Sequence, residues 1–238
     1  MLRSRACNPK TEIRWRRTEA TFSSGKPTNG VNMENISLLP SPQSHSEILA
    51  EIQTIADTYG ESFDQWRIPL AVARRTQAIL LRHKIDPRSF NPSVLASLLD
   101  GFARSNDLAE SEMFATLVCD VWPSVHVPEG YKPTQYAFAL ARIDTRIPLI
   151  SCDFLNDATL GFARLIVLAV EHLTHIAASM KKEPFLSTRA ISDELGFSFK
   201  SAAVILRKLI LAGDLIQVSA PTRQKAGVYR RFTQGSQD

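Results

Sequence analysis

The chain has 238 residues, of which 44% are hydrophobic and 22% charged, with three cysteines and a formal net charge of +4. That length holds one medium domain or two small ones, and that composition is ordinary for a soluble globular protein, which excludes collagen-like, coiled-coil and wholly disordered chains. The longest strongly apolar run, Leu165-Ile166-Val167-Leu168-Ala169-Val170, falls far short of the roughly 18 residues a membrane span needs.

Cys7, Cys119 and Cys152 are odd in number and widely spaced, so neither a disulfide framework nor a structural zinc site is expected. No apolar stretch follows Met1-Leu2-Arg3-Ser4-Arg5, which argues against a secretory signal, and Glu12 and Glu19 argue against a transit peptide. The expected compartment is the cytoplasm. Charge is segregated. Residues 1–32 carry seven Lys/Arg against two acids, residues 33–180 eleven against seventeen, and residues 181–238 ten against five. A basic end on an acidic body points to a polyanionic partner for the C-terminal part.

Residues 1–46 are polar, without sustained periodicity, and are expected to be a disordered basic tail, with Met33 as an alternative start. Ser44 and Glu47 form a capping-box pattern ahead of a helix ending at Gly60. Further helices are expected from about Pro69 to His83, after Asn91-Pro92, and from Asp107, so that residues 47–150 hold a helical bundle. A connector over 122–133 leads to a helix from Thr134 to Ile143. A long helix over about 157–180 follows, its stripe being Leu160, Ala163, Val167, Val170, Leu173, Thr174 and Ala177.

The most informative stretch follows. Ser187 caps a helix carrying Ile191 and Leu195, Gly196 supplies a tight turn, and Ser198 caps a second helix. That second helix buries Ala202, Ile205, Leu206 and Leu209 within one arc and turns Lys200, Ala203, Val204 and Arg207 outward, with Ser201 and Lys208 on the flank. Gly213 ends it. Two strands, 215–219 and 228–232, then flank a loop with Pro221, Arg223, Lys225 and Gly227.

The spacing Ile191-x3-Leu195-Gly196-x-Ser198-x2-Ser201-Ala202-x3-Leu206-x2-Leu209-x3-Gly213-x-Leu215 resembles the winged helix-turn-helix family over about 50 residues. A second resemblance rests on Phe114-x7-Trp122-x2-Val125-x2-Pro128-x-Gly130 and the ending Ala226-Gly227-Val228-Tyr229-Arg230-Arg231-Phe232. This pattern is similar to bacterial proteins associated with mobile elements and with primase or replication genes. The family resemblance implies a mainly α fold, a helical bundle followed by a winged helix-turn-helix domain over 157–234. It also implies double-stranded DNA as partner, in transcription regulation or in plasmid- or phage-type DNA replication. Ser198, Lys200, Ser201, Arg207 and Lys208 would then reach phosphates or base edges, and Ala203 and Val204 thymine methyl groups. Arg223, Lys225, Arg230 and Arg231 would meet phosphates. The alternative is a protein-docking adaptor. The acidic body would carry homodimer or partner contacts, and no membrane contact is expected.

Enzyme chemistry finds little footing. Ala20 and Pro27 stand where a phosphate loop needs glycine and Ser/Thr, and Gly196-Phe197-Ser198 lacks the second glycine of a nucleophile elbow. Glu171 and His175 share a helix face and read as an ion pair, with His172 pointing elsewhere. No catalytic residue, metal or cofactor is expected.

Overall fold

The computed structural model of the chain describes residues 50, 51, 54, 67–108, 111–154, 156–222 and 225–231. The basic tail and most of the helix expected before Gly60 lie outside the described residues. Ala50, Glu51 and Thr54 are helical, and Glu51 pairs with Arg82. Helix α1 spans Arg67–Arg82, where Ile68, Val72, Thr76 and Ile79 recur at helical spacing and are all buried. The Asn91-Pro92 signal opens a short 3-10 turn, Pro92–Leu95, whose Ser93 N–H donates to the Asn91 side chain at 3.1 Å. Helix α2, Ala96–Ser105, continues from it.

Asp107 does not start the next helix. It sits in a left-handed conformation, φ 50°, as the chain leaves α2, and the neighbouring Asn106 side chain donates to the Phe102 carbonyl at 2.8 Å. Asp107 therefore belongs to a helix stop. Helix α3, Phe114–Val121, begins later, after a 3-10 turn at Ser111–Met113.

Two hydrophobic cores result. The first joins α1, α2 and α3 through Ile79, Leu80, Leu99, Phe102, Phe114 and Val118, closed by Trp122. The Trp122 indole N–H donates to the Pro87 carbonyl at 3.0 Å, and the Trp122 carbonyl accepts from Gln77 at 3.0 Å. The second core holds helix α4, Pro133–Ile143, against helix α5, Asp157–Ser179. It continues into helices α6, Thr188–Leu195, and α7, Phe199–Leu211.

Asn156 caps α5 by accepting the Thr159 N–H at 2.8 Å. The buried surface of α5 is wider than the stripe read from sequence: Ile166 to Val170 are all buried, while Leu160 and Thr174 are only half-buried. The cause is packing on two sides, by α4 and by α7 with the sheet. By length and composition α5 could cross a membrane, but 56% of its most apolar stretch is buried inside this fold.

Strands β1 (Phe185–Leu186), β2 (Leu215–Ser219) and β3 (Gly227–Arg231) form an antiparallel sheet in the order β1-β3-β2. The protein is thus mainly helical with one small three-stranded sheet. β1 is absent from the sequence reading because two residues offer no alternation to detect. Gly227 is required by close approach, since a Cβ there would lie 2.5 Å from the Tyr229 hydroxyl.

Candidate nucleic-acid interface

Helices α6 and α7 meet across a turn built from four side-chain and backbone devices. The Ser187 hydroxyl accepts the Ala190 N–H at 3.0 Å to start α6. Gly196 ends it at φ 70°, a left-handed conformation that side chains resist. The Ser192 hydroxyl donates to the Phe197 carbonyl at 2.6 Å, and the Phe197 ring packs on Phe162 of α5 with centroids 4.9 Å apart. Ser198 then accepts the Ser201 N–H at 3.1 Å to start α7.

Helix α7 buries Ala202, Ile205, Leu206 and Leu209 and leaves Lys200, Ser201, Val204 and Arg207 exposed, with Ala203 half-buried. Lys208 turns aside: it is half-buried, and its ammonium lies 5.4 Å from the centroid of the Phe154 ring. Ser198 and Ser201 are exposed, and their hydroxyls bond one another at 2.9 Å.

In the hairpin, Lys225 is exposed beside the tip, where its N–H donates to the Thr222 hydroxyl at 3.0 Å. Arg223 lies outside the described residues. Successive side chains of a strand point to opposite faces. Arg230, opposite Ile216, is accordingly exposed, whereas Arg231 turns inward and donates to Glu171 of α5 at 2.8 Å. Among the described residues no ion pair joins Lys200, Arg207, Lys225 or Arg230 to a carboxylate. The structure thus brings Lys200, Arg207, Lys225 and Arg230 out to solvent and ties Lys208 and Arg231 to the body.

Arg189, in the first turn of α6, and Lys181 and Lys182, just before β1, are exposed basic residues outside the expected set. Only the charge count pointed to them, because β1 itself was not legible.

Behind the hairpin runs a polar chain that the sequence reading did not assemble. Arg88 grips Asp86 through two nitrogens, at 3.0 and 2.7 Å, and reaches His172 Nδ1 at 3.2 Å. His172 Nε2 lies 2.9 Å from Asp144, Arg146 bridges Asp144 and Glu171 at 2.6 Å each, and Arg231 completes the series. A guanidinium only donates, so Nδ1 of His172 accepts and its Nε2–H donates to Asp144. Glu171 is therefore held by two arginines and not by the exposed His175, which corrects the expected ion pair.

Burial and the Arg88 charge lower the proton affinity of His172 below its ordinary value, outweighing Asp144. Hydrogen bonds from Arg146 hold Asp144 well below the usual carboxylate range. Burial pushes Asp86 and Glu171 up, but their arginine partners bring both below that range. Burial pushes the nearby Tyr136 hydroxyl up to about 12. Every carboxylate along this chain is already paired with a guanidinium. Among the described residues no three His, Cys, Asp or Glu side chains are placed to hold a metal ion.

Compared with known proteins, the chain matches no family model, no curated protein and no solved structure.

Proposed function

We propose that the chain binds double-stranded DNA through a winged helix-turn-helix made of α5, β1, α6, α7, β2 and β3. The observation that carries this reading is a set of exposed cations, Lys200 and Arg207 on the outer face of α7 and Lys225 and Arg230 on the hairpin, none of them paired with an acid among the described residues. Between Gly196 and Arg231 the sequence holds seven Lys/Arg and one acid, Asp214, whose carboxylate is occupied by the Ser151 and Cys152 N–H groups at 2.8 and 3.3 Å. Helix α7 enters the major groove, and the hairpin meets the backbone. The resemblance to mobile-element and replication-associated proteins favours a cytoplasmic transcription regulator or a replication accessory factor, acting as monomer or homodimer.

The test is selection of bound duplexes from a random pool with the full chain, at two salt concentrations, followed by fluorescence anisotropy. Enriched duplexes with salt-dependent affinity are expected. No binding to any duplex below about 100 μM at low salt overturns the reading, because non-specific binding alone reaches roughly 10⁻⁴–10⁻⁶ M. A second reading, a protein-docking adaptor, is favoured by Ile216 and Val218 of β2, apolar and half-exposed side chains that phosphates would not engage.

A further inference from the structure

Where the end of α1, the connector, α4 and the last turn of α6 meet, they enclose a solvent-open cleft of about 590 Å³. Its size falls inside the roughly 300–1,000 Å³ of small-ligand sites. One wall is a face of α4, on which Gln135, Ala139 and Arg142 recur at helical spacing while Tyr136 and Leu140 are buried in the core. Three cations line the cleft, Arg82, Lys84 and Arg142, against one carboxylate, Glu194. The fold does not use up their charge. Arg142 reaches the Glu194 carbonyl and carboxylate through one terminal nitrogen, and Arg82 reaches Glu51 through one. Each guanidinium therefore keeps its Nε–H and its other terminal nitrogen without a partner among the described residues. Lys84 is exposed and pairs with no carboxylate among the described residues. It also stands at the stop of α1 in a left-handed conformation, φ 61°, where glycine or asparagine is the favoured residue. A lysine there accepts backbone strain and brings an ammonium to the cleft.

The chemistry of this lining selects among anions. A carboxylate is matched by one guanidinium fork, so cations brought from α1, from the turn after it and from α4 exceed what it needs. A phosphate monoester, with three outer oxygens and a charge of about −1.5 to −2, engages all three. The rest of the cleft suits a ring. The half-buried Tyr131 offers an aromatic face, and Leu81 and Ile143 add aliphatic surface. Gln135 accepts the Lys132 N–H through its Oε1 at 3.0 Å, which leaves its amide NH2 to donate. Inorganic phosphate would leave these ring-facing groups unused. The geometry points to a binding site for a small phosphate monoester bearing a planar ring, a compound of the nucleoside monophosphate class, with Arg82, Lys84 and Arg142 on the phosphate and Tyr131 on the ring. This site lies outside the proposed DNA-binding residues, and the inference does not depend on the DNA reading.

The full chain is titrated in a calorimeter with the common ribonucleoside monophosphates, with their nucleosides and with inorganic phosphate. At least one monophosphate should saturate a single site with a Kd below about 1 mM, and about tenfold or more tighter than its nucleoside or inorganic phosphate. Lys84→Gly removes the ammonium and suits the left-handed backbone, so it should melt no lower than wild type yet bind that monophosphate about tenfold more weakly. Lys84→Arg, which keeps the charge, should retain most of the affinity. Absence of saturable binding by every monophosphate below about 1 mM overturns the inference. Equal affinity for a nucleoside and its monophosphate does the same, because the cations then contribute nothing. Wild-type affinity in Lys84→Gly also overturns it, by placing the phosphate elsewhere. If no monophosphate binds and Lys84→Gly instead loses affinity for duplex DNA, the cleft belongs to the DNA surface, and the small-ligand inference fails while the DNA reading stands.

Discussion

Arg231 and Glu171 meet at 2.8 Å, fastening the last described residue of β3 to the middle of α5. Glu171 also holds Arg146 at 2.6 Å, so one carboxylate joins the hairpin to the segment that follows α4. The pair is partly buried, which shields it from the screening that makes surface ion pairs weak.

Arg231 should therefore behave as a structural residue and Arg230 as a binding one. Arg231→Ala is expected to lower stability by about 1–2 kcal/mol, the range for losing a charged hydrogen bond whose partner keeps another donor. It should leave the salt slope of DNA binding unchanged. Arg230→Ala and Lys225→Ala should do the reverse, each reducing the slope by about one phosphate contact. Urea unfolding and a salt series of anisotropy titrations separate the two; a loss of slope in Arg231→Ala would return that residue to the interface.

His172 should give the protein an acid-sensitive stability. Its proton affinity is lowered in the folded state, so its contribution is fully present above the ordinary histidine range near pH 6.5 and is lost as pH falls below it. Asp86, Asp144 and Glu171 are lowered too, and their contributions fade only at more acid pH, through the carboxylate range. The thermal midpoint should fall between pH 7 and pH 5. His172→Gln, whose amide can accept from Arg88 and donate to Asp144 without titrating, should flatten that part of the profile. An unchanged slope in the glutamine variant would assign the effect to other groups.

Arg207 projects from the face opposite Leu206 and Leu209, so Arg207→Ala should leave thermal stability within about 0.5 kcal/mol of wild type. If its guanidinium pairs with a guanine edge, the variant should lose about 1–3 kcal/mol of DNA affinity and relax preference at one base position. Leu209→Ala offers the contrast, an expected loss of about 2–5 kcal/mol from the core. Comparable destabilisation by both would show that the α7 surface is packed against something.

Gly196→Ala should cost about 1–2 kcal/mol. No atom lies within 4 Å of the added Cβ, so the cost is the left-handed backbone alone. Gly196→Asn should recover part of it, since asparagine tolerates that conformation. Equal losses in the two variants, measured by denaturant unfolding, would point to a steric cause.

Local signals were the ones readable from sequence. Asn91-Pro92, Ser187, Gly196 and Ser198 each act within a few residues of themselves, and each occupies the helix-end or turn position its chemistry favours. Asp107 misled because the same side chain suits a helix start and a left-handed stop, and only the contacts of Asn106 with Phe102 decide between them. The outward turn of Lys200 and Arg207 followed from helical periodicity. The diversion of Arg231 to Glu171, sixty residues away in sequence, and of Lys208 to Phe154 depended on tertiary neighbours that no local pattern encodes. The same holds for the arginine–carboxylate chain through His172.

The pairing of β1 with β3 also bears on the order in which this region folds. Phe185 lies opposite Val228, so that short ladder encloses α6, α7 and β2 within one loop of more than forty residues. Closing such a loop costs chain entropy before its few hydrogen bonds can repay it, whereas α6 and α7 meet through neighbours close in sequence. The helix pair should thus assemble early, and β1 should dock after the rate-limiting barrier. Leu186→Ala would then accelerate unfolding and barely slow refolding, while Ile191→Ala in α6 would slow refolding as well. The strand too short to be read from sequence becomes the latch that determines how long the assembled domain stays closed.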